Sequence, residues 1–166
     1  MKELLMGCGS RTEKDLSIGS EEFENVTRLD YNANHNPDIV WDLTIHPLPF
    51  DDEEFDEIHA YEVLEHLANQ GDYQFFFQEF TEYWRILKPK GMFFASVPLK
   101  DSIWAWGDPS HKRIIQPETL TFLDQRFYDQ VGRTSMSDYR DIYKVSFEVI
   151  FQEVTNDKFY FALRKV

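Results

Sequence analysis

The segment Gly7-Cys8-Gly9-Ser10 directly follows the aliphatic run Leu4-Leu5-Met6. Two glycines separated by one small residue make a sharp turn, either for the turn's own sake or because backbone there must come close to a ligand. Asp30 follows about 20 residues later, the spacing at which an acidic residue meets the ribose hydroxyls of a bound nucleoside. Asp42 closes the next strand-like run, where a carboxylate can accept from an exocyclic amine. Each aspartate alone also fits a helix cap or a solvated loop. In Glu-Val-Leu-Glu-His, residues Glu62, Glu65 and His66 stand at i, i+3 and i+4. On a helix they share one face and can converge on a divalent cation.

These residues need a scaffold. Short apolar runs at 2–7, 25–30, 38–43 and 55–61 read as strands. The period then changes. Tyr73, Phe76, Phe77, Phe80, Tyr83, Trp84 and Leu87 recur at helical spacing, Arg85 and Lys88 occupy the last turn, and Lys-Pro-Lys-Gly stops the helix. The continuous apolar run 91–99 suits a strand buried on both faces. An irregular stretch follows, then Pro117 at the first position of a helix over 117–128. The tail from Tyr143 alternates around Asn156-Asp157 and predicts an antiparallel hairpin. Strands alternating with helices or long crossovers, ending in a hairpin, make an open α/β sheet that is mostly parallel. Ligands in such sheets sit beyond the carboxyl ends of the strands, where the glycine turn lies.

A chain of 166 residues fits one domain over 1–166, and 42% hydrophobic residues with 16% aromatics supply an ample core. The net charge of -13 repels polyanions, so duplex nucleic acid and anionic membrane surfaces are poor partners. Cys8 is the only cysteine, which excludes an intramolecular disulfide. With no signal-peptide pattern and no long apolar run, the expected location is the cytoplasm.

The chain resembles the class I S-adenosylmethionine-dependent methyltransferases. The resemblance is carried by Leu4–Ser10, Arg28–Asp30, residues 40–67, residues 82–98 and the final hairpin, nearly the whole length. The stretch with Asp108-Pro109-Ser110-His111 also looks like small methyltransferases encoded by phages or metagenomes. The resemblance implies a Rossmann-like, seven-stranded sheet with helices on both faces. It implies that Gly7 and Gly9 approach the methionine and ribose portions of S-adenosylmethionine, that Asp30 holds the ribose hydroxyls, and that Asp42 with the Leu43 backbone meets the adenine. Cys8, Tyr31 and Ala60 belong to the same cofactor set, Cys8 as small filler in the turn. Charge-assisted bonds of the Asp30 kind contribute roughly 1.5 to 3 kcal/mol each.

Two departures stand out. Leu5 and Arg11 replace an acidic residue and a glycine that the family usually carries, and the chain begins almost at its first strand. The pocket is then open, or a second subunit closes it. A similar Glu-x-x-Glu-His, with a further histidine downstream, marks the metal site of small-RNA 2'-O-methyltransferases, so His111 joins Glu62, Glu65 and His66 as a candidate ligand. The alternatives are a general base at His66 or His111, with Tyr61 beside them, or wall residues without chemistry. Lys112 and Arg113 suit a substrate phosphate or carboxylate, or plain solvation. Trp104 and Trp106 suit a lid or the core.

The expected function is methyl transfer to an oxygen or nitrogen of a small or oligomeric acceptor. No Asp-Pro-Pro-Tyr or Asn-Pro-Pro-Tyr motif points to a base amino group. One rival is a degenerate S-adenosylmethionine-binding protein serving as a partner subunit. The other is a nicotinamide-dependent oxidoreductase, disfavoured because Thr12 stands where G-x-G-x-x-G needs its third glycine.

Overall fold

The computed structural model describes residues 1–166. The strands are β1 (Glu3–Met6), β2 (Val26–Asp30), β3 (Ile39–Val40), β4 (Phe55–Tyr61), β5 (Leu87–Pro98), β6 (Phe147–Val154) and β7 (Lys158–Lys165). They form one sheet in the order β3-β2-β1-β4-β5-β7-β6. The pairs from β3 to β5 are parallel, and β7 runs antiparallel to both β5 and β6. The open sheet with a terminal hairpin is the expected one. Connections from β1 lead outward to β2 on one side, and those from β4 lead to β5 on the other. The strand ends of β1 and β4 therefore part, leaving a crevice at the reversal point.

The long helix α1 (Tyr73–Ile86) starts where the Asp72 side chain accepts from the Phe75 amide at 3.1 Å. Its buried face, Phe77, Phe80, Tyr83 and Ile86, packs on Leu4, Met6, Ile58, Phe93 and Phe161 in the main core. Pro89 prevents the helix from continuing. The helix expected over 117–128 is short: α3 (Pro117–Leu120) gives way to two 3-10 turns, and Leu120 and Leu123 join the same core.

The second face corrects the expectation of helices on both sides. Its cluster consists of Leu5, Cys8, Tyr61, Phe94 and Ala162, with Leu16 and Phe23 packed against it, and none of these is helical. The covering segment between β1 and β2 has Gly7, Gly9, Gly19 and three serines, and its few apolar residues lack helical spacing. An ionic group under it replaces a helix as fastening. Lys14 Nζ lies 2.5 Å from Glu3 Oε1 and 3.1 Å from Glu57 Oε2, all out of solvent. The Tyr61 hydroxyl donates to the Leu16 carbonyl at 2.7 Å and sits 2.8 Å from His59 Nδ1. The segment is thus a strap tied down by its own buried polar groups.

Candidate active site

A cavity of about 490 Å³ opens at the crevice between the ends of β1 and β4. Gly7, Asp30, Tyr31, Asp42, Leu43, Glu62 and His66 all line it, which brings together residues spread over the first two-fifths of the sequence. Its size suits a ligand of nucleoside dimensions.

The glycine turn is left-handed at both positions, with φ of 57° at Gly7 and 48° at Gly9. At Gly7 an added Cβ would stand 2.5 Å from Val63 Cγ2, so only glycine lets the turn approach the end of β4. At Gly9 an added Cβ would meet nothing within 4 Å. Asp30 is only 5% exposed, and its two oxygens are held apart: Oδ2 accepts from the Gly9 amide at 2.8 Å and Oδ1 from the Asn32 amide at 2.9 Å. Arg28 Nη2 donates to the Gly9 carbonyl at 3.1 Å and fastens the turn from below. Asp42 Oδ1 accepts from the Thr44 amide at 2.9 Å and hydroxyl at 2.8 Å, and these bonds hold its pKa below the ordinary range.

Across the crevice, Glu62 is not on a helix with Glu65 and His66. Its backbone is left-handed at φ 57°, and only Leu64–His66 forms a 3-10 turn. Glu62 Oε1 accepts from the Ser96 hydroxyl at 3.0 Å instead. Glu65, His66 and His111 do converge, their ligand atoms within 4.8 Å of one another. Glu65 Oε1 lies 4.0 Å from His66 Nε2 and 3.9 Å from His111 Nε2.

The hydrogen bonds around this trio set the tautomers. The Ser110 hydroxyl gives its one proton to Asp108 Oδ1 at 2.5 Å, so at 3.0 Å from His66 Nδ1 it accepts. His111 Nδ1 faces the Ala105 carbonyl at 3.3 Å and donates to it. In the neutral rings both Nε2 lone pairs are therefore free and face Glu65, whose own oxygens are buried without a hydrogen-bond partner. Burial pushes the Glu65 carboxyl up to about 8. Burial, and then the neighbouring His111, hold His66 below its ordinary pKa, so it is neutral near pH 7.

Several expected site residues lie elsewhere. Cys8 is buried in the second-face cluster, where burial raises its thiol pKa. Ala60 is enclosed in the main core between Met6 and Ala95. Tyr61 points to the second face, because alternate residues of a strand face opposite sides and Ala60 faces the first. Gly9 stands behind Asp30 rather than on the cavity wall. Trp104 and Trp106, on α2 (Trp104–Gly107), are exposed and belong to neither core. Lys112 lines the cavity, but Arg113 turns away into a buried pair with Glu79. Trp41, directly after β3, and Ser110 also line it and were not among the expected site residues.

The family model described as a methyltransferase domain matches residues 4–95, more than half of the chain. The chain belongs to the methyltransferase domain family. No curated protein matches it. Among solved structures, a SAM-dependent methyltransferase from Archaeoglobus fulgidus is 16% identical with a TM-score of 0.61, covering 99% of this chain and 86% of its own. The N-methyltransferase NodS from Bradyrhizobium japonicum, in complex with S-adenosylhomocysteine, is 13% identical with a TM-score of 0.56, over 99% and 77% of the two chains. A chain of the Haloferax volcanii complex between the Trm112 methyltransferase activator and a methyltransferase is 16% identical with a TM-score of 0.57, over 99% and 82%. At these identities the methyltransferase-domain likeness is one of fold. No helix of the protein is long and apolar enough to cross a membrane.

Proposed function

We propose that the protein is an S-adenosylmethionine-dependent methyltransferase, one domain over residues 1–166, acting on an oxygen or nitrogen of a small or oligomeric acceptor. The observation that carries this reading is Asp30, a buried carboxylate on the cavity wall pinned by two backbone amides. Each of its oxygens keeps a further acceptor site, which suits a pair of vicinal hydroxyls. Gly7 fits the close approach of a ligand at the turn, and Asp42 fits a donor amine at the far end of the cavity. S-adenosylmethionine, when bound, supplies an electrophilic methyl on a good leaving group. The chain's own work is alignment, exclusion of water and removal of an acceptor proton. His66, neutral and with Nε2 free, is suited to take that proton, with Asp108 and Ser110 orienting the ring. Tyr61 has no part in it. The single buried cysteine suits a cytoplasmic setting.

A second reading adds a divalent cation. It is favoured by the orphaned Glu65 oxygens opposite two free Nε2 atoms. Glu65, His66 and His111 would hold the ion, and it would lower the pKa of an acceptor hydroxyl. The deciding experiment is calorimetric titration with S-adenosylhomocysteine, for the wild type and Asp30→Ala, with manganese and with chelator. Binding that weakens at least about tenfold in the variant supports the cofactor site. No binding by the wild type under any condition overturns it. Binding without transfer to any acceptor supports instead a partner-subunit role.

A further inference from the structure

The turn Leu64–His66, which carries Glu65 and His66, has little of its own to hold it. It is a single 3-10 turn without a side-chain cap. Non-glycine residues with left-handed backbone flank it on both sides, Glu62 at φ 57° and Ala68 at φ 54°. Such conformations persist only where the surroundings over-determine them. Two bonds from a neighbouring segment reach the carbonyls of the turn. The Lys112 amide donates to the Glu65 carbonyl at 2.9 Å, and Arg113 Nε donates to the Leu64 carbonyl at 2.7 Å. The Leu67 amide reaches the same Leu64 carbonyl at 3.2 Å, so the bond from the guanidinium is the shorter of the two and is charge-assisted.

Arg113 is itself anchored. It is 4% exposed, its Nη1 lies 2.5 Å from Glu79 Oε1, and its guanidinium stands 6.0 Å from the centre of the Phe76 ring. Glu79 is fully buried in the middle of α1, where its Oε2 accepts from the Tyr83 hydroxyl at 3.2 Å. One chain of contacts therefore runs from α1 through Glu79 and Arg113 to the backbone of the turn. Stability alone does not account for it. Taking two charges out of water costs as much as their attraction returns, and apolar side chains of similar volume commonly serve as well. Apolar side chains cannot, however, donate to the Leu64 carbonyl.

We infer that Arg113, oriented by Glu79, is a positioning residue that fixes the Leu64–His66 turn and so keeps Glu65 and His66 facing His111. The inference deepens the reading of His66 as the group that takes the acceptor proton, and rests on it. Arg113 does not line the cavity beside His66 and acts only through the backbone of the turn.

The test reads ring tautomers from long-range proton–nitrogen NMR spectra of histidine-labelled protein, at a pH where both rings are neutral. In the wild type His66 and His111 should both carry the proton on Nδ1, His66 against Ser110 and His111 against Ala105. Two variants remove the bond to Leu64 in different ways. Glu79→Leu combined with Arg113→Met replaces the pair by apolar side chains, and Arg113→Lys keeps a charge for Glu79 without the fork that serves both partners. In each, the Nδ1–H form of His66 should fall at least about twofold, since the hydrogen bond at one ring nitrogen sets where the proton sits. His111, whose partner Ala105 lies outside the turn, should keep its own. Urea denaturation reports that the fold is intact, and if the double variant does not fold, Arg113→Lys decides alone. An unchanged His66 in a folded variant, an equal change at His111, or a wild-type His66 without the Nδ1–H form overturns the inference. Titration with S-adenosylhomocysteine is read separately: its failure in the wild type overturns the cofactor reading and leaves the tautomers to decide the role of Arg113.

Discussion

The Gly9 amide donates to Asp30 Oδ2 at 2.8 Å, tying the turn after the first strand to the end of the second. One carboxylate thus shapes the turn and presents its remaining lone pairs to the cavity. Asp30→Ala should lower S-adenosylhomocysteine affinity at least about tenfold and reduce stability by about 1 to 2 kcal/mol. Calorimetry and urea titration separate the two effects. Unchanged affinity would remove Asp30 from the binding surface.

The two glycines should respond differently to substitution. Gly7→Ala meets Val63 as well as a left-handed backbone, and should cost about 3 kcal/mol. Gly9→Ala has only the backbone penalty, about 1 kcal/mol. Equal losses in chemical denaturation would mean that the Val63 contact relaxes freely.

Manganese binding should depend on three residues and not four. Glu65→Gln and His111→Ala should each weaken it at least about tenfold, while Glu62→Ala, whose carboxylate is engaged by Ser96, should leave it within about threefold. Manganese EPR on the four proteins measures this. A large loss in Glu62→Ala would restore the helical-face arrangement that the spacing suggests.

Lys14 neutralises two buried carboxylates at once, so Lys14→Met should cost about 3 to 5 kcal/mol near pH 7. The pH dependence follows from both partners. For Glu57, burial opposes the charge, but His59 and Lys14 outweigh it and its pKa falls below 4.5. Its stabilisation is complete above 4.5 and fades as pH drops through the lower folded value. For Lys14, burial also opposes the charge, but Glu3 and Glu57 lift its pKa above 10.5. Its stabilisation is complete below 10.5 and fades as pH climbs through the higher folded value. The stability gap between wild type and Lys14→Met should narrow beyond either limit. Between them it should shrink as pH falls and His59, freed of the Lys14 charge that helps burial to hold its pKa down, takes up a proton beside Glu57.

Much of the scaffold was legible because it obeys simple periods. The helix from Tyr73 and the strand Phe55–Tyr61 lie where the apolar spacing puts them, and the hairpin turns at Asn156-Asp157. The glycine turn, Asp30 and Asp42 were legible because they sit at strand ends. The Glu62 pattern misled, since i, i+3, i+4 spacing implies one face only where a helix exists, and a left-handed residue interrupts the chain there. Tyr61 and Ala60 misled through strand alternation, which a list of neighbouring residues does not convey. Ser110 was invisible because loop packing alone brings it in. The bare second face escaped notice because an absent helix leaves no mark except glycines and scattered polar residues.

That bare face has a consequence for cooperativity. The strap from Ser10 to Asn25 supplies both the lid over Glu3, Glu57 and His59 and the approach to the glycine turn, yet it holds no helix to resist opening. Its amides should exchange with solvent long before those of β1 and β4, so that the part of the molecule least able to hold itself shut is the one that follows directly on the glycine turn.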